Sequence, residues 1–111
     1  MVIYLYPVRL EESLVVFKQG QTLTVNGEQF DFSPMEDGDS LPAIAVSSKW
    51  FTGNIDHVAG NLSLTLILPI PANFSPEQAF PLPLTDVPDG PVVFPAPLPV
   101  NETESFAEVS Q

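Results

Sequence analysis

The chain has 111 residues, 44% of them hydrophobic and none a cysteine, with 3 Lys and Arg against 14 Asp and Glu for a formal net charge of −11. That length fits one domain with a modest core, and the missing thiols exclude a disulfide framework or a thiolate metal site. The charge argues against nucleic acid, which is held by Lys and Arg neutralising phosphates, and equally against anionic membrane surfaces.

The opening MVIYLYPVRL carries no basic residue ahead of its apolar run, and the run breaks at Pro7. It reads as a strand of the mature protein and not as a signal peptide. LVVFKQGQTLTV follows, two short β-branched runs around Gln19-Gly20, which is a hairpin signal. TLTVNGEQFDFS is a stronger one. Asn26-Gly27 suits a type I′ turn, whose central residues both need positive φ. Leu23 and Val25 then share one face of the incoming strand, and Phe30 and Phe32 one face of the outgoing strand. In PMEDGDSLPAIAVSSKW the turn Asp37-Gly38-Asp39 precedes Ser40, which is placed to cap a short helix with Pro42 in its first turn.

WFTGNIDHVAGNLSLTLILPI reads as a second hairpin turning at Ala59-Gly60-Asn61. Leu62, Leu64, Leu66, Leu68 and Ile70 fall on one face by strict alternation, with Ser63 and Thr65 opposite. Its apolar run, LSLTLILPIP, is far short of the ~20 residues a membrane helix needs. FSPEQAF adds one helical turn, with Ser75 as cap, Pro76 at the first helical position and Gln78 completing a capping box.

Ten of the 13 prolines lie within residues 69–99, where FPLPL (80–84) and FPAPL (94–98) repeat at an offset of fourteen. In extended chain, residues i and i+2 share a face and an edge. Phe80, Leu82 and Leu84 therefore form one face, as do Phe94, Ala96, Leu98 and Val100. The missing N–H groups of Pro95, Pro97 and Pro99 all belong to the other edge. Such segments serve as edge coverings that prevent aggregation, or as arms whose Phe/Leu face docks on a partner while the stiff backbone lowers the ordering entropy.

No catalytic constellation, metal site or cofactor motif stands out. His57 follows Asp56, but neighbours in a strand face opposite ways, so His57 reads as a packing or surface residue. Glu36, Asp37 and Asp39 lack the spacing of a calcium loop and read as a solvated turn. Glu11-Glu12 reads as a solvated corner, and Arg9, Lys18 and Lys49 as surface partners of nearby acids. Trp50 and Phe51 are a candidate ligand platform, weighed against the commoner outcome in which one ring enters the core and the other covers it.

Together the segments PVR (7–9), LTVNGEQFDFSP (23–34), LPA (41–43), WFTGNIDHVAGNLSLTLILP (50–69) and DGPVVFP (89–95) resemble a group of short proteins encoded among the tail and tail-fibre genes of tailed bacteriophages and prophages. The resemblance covers most of residues 1–70 and thins through the proline-rich end. It carries no catalytic residues, and it implies a virion component or assembly factor.

The expected fold is mainly β, an antiparallel meander, sandwich or half-barrel of about six or seven strands with at most one or two short helices. Residues 1–70 form the β domain, residues 71–101 a proline-rich extended segment lying on that domain or on a partner, and residues 102–111 an acidic frayed tail. Leu23, Val25, Phe30, Phe32, Leu62, Leu64, Leu66 and Leu68 are the expected core. The expected function is non-enzymatic: a tail or tail-fibre-associated structural or assembly protein. It would contact other tail proteins or itself through Phe80, Leu82, Leu84, Phe94 and Leu98, with neither nucleic acid nor membrane as partner. It would reside in the host cytoplasm during assembly, with the virion as a second location. The alternative is a stand-alone β-sandwich module binding carbohydrate or another small ligand at Trp50 and Phe51.

Overall fold

The computed structural model describes residues 1–98. The chain is mainly β, with two four-stranded sheets facing one core. The first sheet has the order β1 (Val2–Arg9), β7 (Asn61–Ile70), β6 (Phe51–Val58), β5 (Ser40–Pro42). The second has the order β4 (Glu28–Asp31), β3 (Thr22–Val25), β2 (Val16–Gln19), β8 (Gly90–Pro91). One short helix, α1 (Pro76–Ala79), and one 3-10 turn (Ala43–Val46) complete the described elements.

Local turn chemistry sets the hairpins. In the β3–β4 hairpin Val25 pairs with Glu28, leaving Asn26 (φ 48) and Gly27 (φ 86) as the two-residue turn. In the β6–β7 hairpin Val58 pairs with Asn61 around Ala59 (φ 53) and Gly60 (φ 79). Both have the doubly positive φ of type I′, whose twist matches that of paired strands. Asn26 also holds the preceding loop: its Oδ1 accepts from Val15 N at 2.7 Å and its Nδ2 donates to Ser13 O at 3.0 Å.

β7 is the centre of the first sheet, and its alternation is borne out residue by residue. Leu62, Leu64, Leu66, Leu68 and Ile70 are buried, while Ser63, Thr65, Ile67 and Pro69 are half-buried. From the other sheet Leu23, Val25 and Phe32 meet this row, with Phe30 half-buried beside them. Val16, Ile3 and Ile55 complete the centre. The Phe51 ring is met edge-on by Phe30 at 5.0 Å and by Phe32 at 5.9 Å, the favoured geometry for aromatic pairs.

Three features go beyond an antiparallel meander. β1 runs parallel to β7, in register from Val2↔Ser63 to Arg9↔Ile70. β6 carries an irregularity between Thr52 and Asp56, where Gly53 has φ 72. The segment around Ser40 is not helical as expected. Ser40 begins β5, its Oγ donates to Asp56 Oδ1 at 2.6 Å, and the 3-10 turn that follows Pro42 has no side-chain cap. Pairing with β6 outweighs the local capping signal. The capping box of α1 is present as expected: Gln78 N donates to Ser75 Oγ, and Ser75 N to Gln78 Oε1, each at 3.2 Å.

Two prolines inside strands are explained by which edge they face. Ile3 N and O both bond Leu84, so the odd residues of β1, Pro7 among them, direct their backbone groups away from β7. Ile67 N donates to Trp50 O at 2.8 Å on the β6 side. Pro69 shares that side, but β6 has already ended there, so no ladder bond is lost.

Candidate protein-contact surface

Residues 71–98 lie along both sheets. Leu84 forms a two-way bridge with Ile3, N to O at 2.8 Å and O from N at 2.9 Å. Val87 is buried in the core cluster. Val92 N then donates to Val16 O at 2.9 Å, next to the β8 pairing of Phe17 with Pro91. Asp89 fastens the same stretch: its Oδ1 accepts from Lys18 Nζ at 2.7 Å and from Gly20 N at 3.0 Å. The Lys18 ammonium and the Gly20 N–H hold this carboxyl below the ordinary carboxylate range. Further on, Leu98 N donates to Asn73 O at 3.2 Å, and Ser75 Oγ donates to Ala96 O at 2.7 Å. In both proline repeats the last residue supplies an N–H, Leu84 to Ile3 of β1 and Leu98 to Asn73 within the same proline-rich segment. The prolines remove N–H groups only from the opposite edge. Pro99 and Val100 of the second repeat, and the acidic tail 102–111, lie outside the described residues.

This docking turns some apolar side chains in and others out. Leu84 and Phe94 are half-buried and pack against the core. Phe80 and Leu82 are 82% and 81% exposed. The single face expected for Phe80, Leu82 and Leu84 is thus broken, because only Leu84 is held by β1. Val93, which the alternation argument overlooked, is 82% exposed and joins the outward set. Phe80, Leu82 and Val93 rim a groove of about 320 Å³ whose other walls include Leu84, Phe94 and Glu77. Leu98 is half-exposed but is not among the residues lining it. The structure therefore brings together four of the five expected contact residues.

Trp50 and Phe51 do not form an exposed ligand platform. They are 8% and 5% exposed, and both belong to the core cluster. Strand alternation would put them on opposite faces, but Trp50 precedes β6 in a turn, where strand parity does not apply. Lys49 Nζ lies 5.0 Å from the centroid of the Trp50 ring and pairs with Glu12 Oε1 at 2.7 Å. Arg9 pairs with Glu11 at 2.9 Å, so all three cationic side chains have internal acidic partners.

His57 is buried and has a partner that sequence adjacency did not reveal. Its Nδ1 lies 2.7 Å from Asp37 Oδ1, and its Nε2 lies 3.4 Å from Gln21 Nε2. Asp37 Oδ1 also accepts from Gly60 N at 2.8 Å, so the carboxylate joins the acidic turn to the tip of the β6–β7 hairpin. With Nδ1 donating to the carboxylate, Nε2 accepts from the Gln21 amide, and both ring nitrogens are engaged. The arrangement braces a hairpin. Asp39 is likewise spent locally, its Oδ2 accepting from Glu36 N at 2.7 Å. Among the described residues no group of three or more His, Asp and Glu side chains is placed to hold a metal ion.

The Gly60 N–H, and after it His57, hold the Asp37 carboxyl below the ordinary carboxylate range. A lowered folded-state pKa means that the native state binds fewer protons than the unfolded chain as pH falls towards it. The stabilisation is complete above the unfolded value of about 4 and is lost as pH falls through the folded one. Asp37→Ala is therefore expected to lower the melting temperature at pH 7, with the gap from the parent protein smaller at a pH well below the unfolded value of about 4. A gap that is the same at both pH values, followed by circular dichroism, would show that the Asp37 charge contributes nothing.

Among the described residues no helix is long and apolar enough to cross a membrane. Compared with family models, curated proteins and solved structures, the chain matches none of them.

Proposed function

We propose that this chain is a non-enzymatic structural or assembly protein that works by protein–protein contact, associated with a phage or prophage tail or tail fibre. The supporting observation is the outward set Phe80, Leu82 and Val93, more than four-fifths exposed on a proline-stiffened backbone that is itself hydrogen-bonded to both sheets. Large exposed apolar side chains clustered on a fixed backbone are what a partner-binding patch needs, because little ordering entropy remains to be lost. The tail context rests on the resemblance of the two hairpins and their flanking segments. With Trp50 and Phe51 buried, the carbohydrate-module reading loses its platform.

The test is affinity capture of the tagged full chain, co-expressed with the genes that flank its own. Capture of a tail or tail-fibre protein by the parent chain, and its loss with Phe80→Asp/Leu82→Asp, is expected. Flanking genes unrelated to tails would remove the phage context. Equal capture by both chains would remove the patch.

A further inference from the structure

A second groove lies on the other side of Phe94 and Pro95, and it differs chemically from the first. It measures about 400 Å³, is walled by Leu14, Leu68, Phe94 and four prolines, and has Glu11 and Glu12 at its margin. Gln78 also lines it and is only 5% exposed. The Gln78 oxygen is committed to Ser75 N in the capping box, which orients the side chain and fixes which end is the amide nitrogen. Its Nε2 has no hydrogen-bond partner among the described residues. A buried amide donor left unpaired is costly, and the proline-rich wall around it offers neighbouring groups that cannot donate.

We infer that this groove binds an extended segment of a partner protein that carries apolar residues beside Lys or Arg. A carbonyl of that segment accepts from Gln78 Nε2, and its cation meets Glu11 and Glu12. The inference rests on the protein-contact reading and names the partner's chemistry. Charge selects the occupant. A second copy of the chain brings a net charge of −11 to a chain that carries the same charge. The chain's own residues 99–111 bring Glu102, Glu104 and Glu108 and no cation. A cationic segment gains where both of these are repelled, and the ion pairs Arg9–Glu11 and Lys49–Glu12 are exposed enough to exchange partners.

The Gln78 side-chain amide provides one probe for all three occupants. The full chain, labelled with nitrogen-15, is titrated with a panel of acetylated hexapeptide amides placing Leu or Pro beside Lys or Arg, and with the same panel carrying Glu instead. Saturable movement of the Gln78 amide resonances by cationic peptides, with Kd below about 1 mM, and none by the Glu panel, is expected. Gln78→Glu keeps an oxygen for Ser75 N but removes the donor, and binding, read in this variant from the backbone amides of Glu11 and Leu14 on the groove wall, is expected to weaken at least tenfold. Glu11→Gln, at an exposed position, is expected to weaken it severalfold. Resonances unmoved by every cationic peptide, or moved equally by both panels, would overturn the inference. So would resonances that move on dilution, which indicates a second copy, or with Phe106→Ala, which indicates the chain's own tail. Peptide-induced shifts confined to Phe80, Leu82 and Val93 would sink this groove while leaving the protein-contact reading in place.

Discussion

Leu66→Ala is expected to lower the free energy of unfolding by about 2–5 kcal/mol, the range for deleting a buried leucine with incomplete collapse around the cavity. Leu66 is fully buried at the middle of β7 and pairs with Leu5 on one side and Phe51 on the other. Phe51 in turn is gripped by Phe30 and Phe32 from the second sheet, so the cavity opens where the two sheets meet. Domains of this size hold roughly 5–15 kcal/mol in total, so the loss is a large share of what keeps the chain folded. Urea denaturation followed by fluorescence of Trp50 measures it. Thr65→Ala, half-buried on the opposite face of the same strand, is the control and is expected to cost well under half as much. Equal costs at the two positions would mean that the alternation of β7 does not define the core.

Phe80→Ala together with Leu82→Ala is expected to do the reverse. Both side chains are exposed, so stability should change by less than about 0.5 kcal/mol. Affinity for the captured partner should fall by about 3–4 kcal/mol, or roughly 10²–10³-fold, as when two hot-spot residues are truncated. Calorimetric titration of the purified partner into each variant measures this, and Val58→Ala, an exposed residue at the β6–β7 hairpin, should leave affinity unchanged. A double variant that binds as tightly as the parent, with an unchanged melting temperature, would place the contact elsewhere.

The parts of the fold that the sequence makes legible are those in which cause and effect lie within a few residues. Asn26-Gly27 and Ala59-Gly60 specify their turns through φ alone. β7 announces its buried face by five alternating aliphatic residues, and Ser75-Pro76-Glu77-Gln78 specifies its own capping box. The remainder depends on partners distant in the chain. The parallel pairing of β1 with β7 joins residues about sixty positions apart and has no local signature. Ser40 has the chemistry of a helix cap, yet β6 offers it a ladder and Asp56 a hydrogen bond. His57 stands beside one aspartate in sequence and is bonded to another twenty residues away. Gly53, lying inside a strand pattern, did carry a readable warning of the β6 irregularity.

The contact surface shows the same division. Proline alternation reveals that each repeat can donate along one edge only, and the N–H groups of Leu84 and Leu98 do so, to Ile3 and Asn73. It does not reveal that the bridge to β1 stops at Leu84 and leaves Leu82 and Phe80 facing solvent. Nor does it reveal Val93, whose exposure follows from Val92 being drawn to Val16 by the neighbouring hydrogen bond.

Both grooves and the outward apolar set exist only if residues 71–98 are held against the two sheets in the free protein. Native-state amide hydrogen exchange measures this directly at Leu84 and Val92, whose N–H groups bond Ile3 and Val16. Protection close to that of the core strand β7 is expected at both, with rapid exchange at Leu82, which precedes Leu84 and whose N–H has no backbone partner among the described residues. Exchange at Leu84 and Val92 as fast as in an unfolded chain would contradict the account, because the side chains assigned to the partner would then have no fixed place to stand.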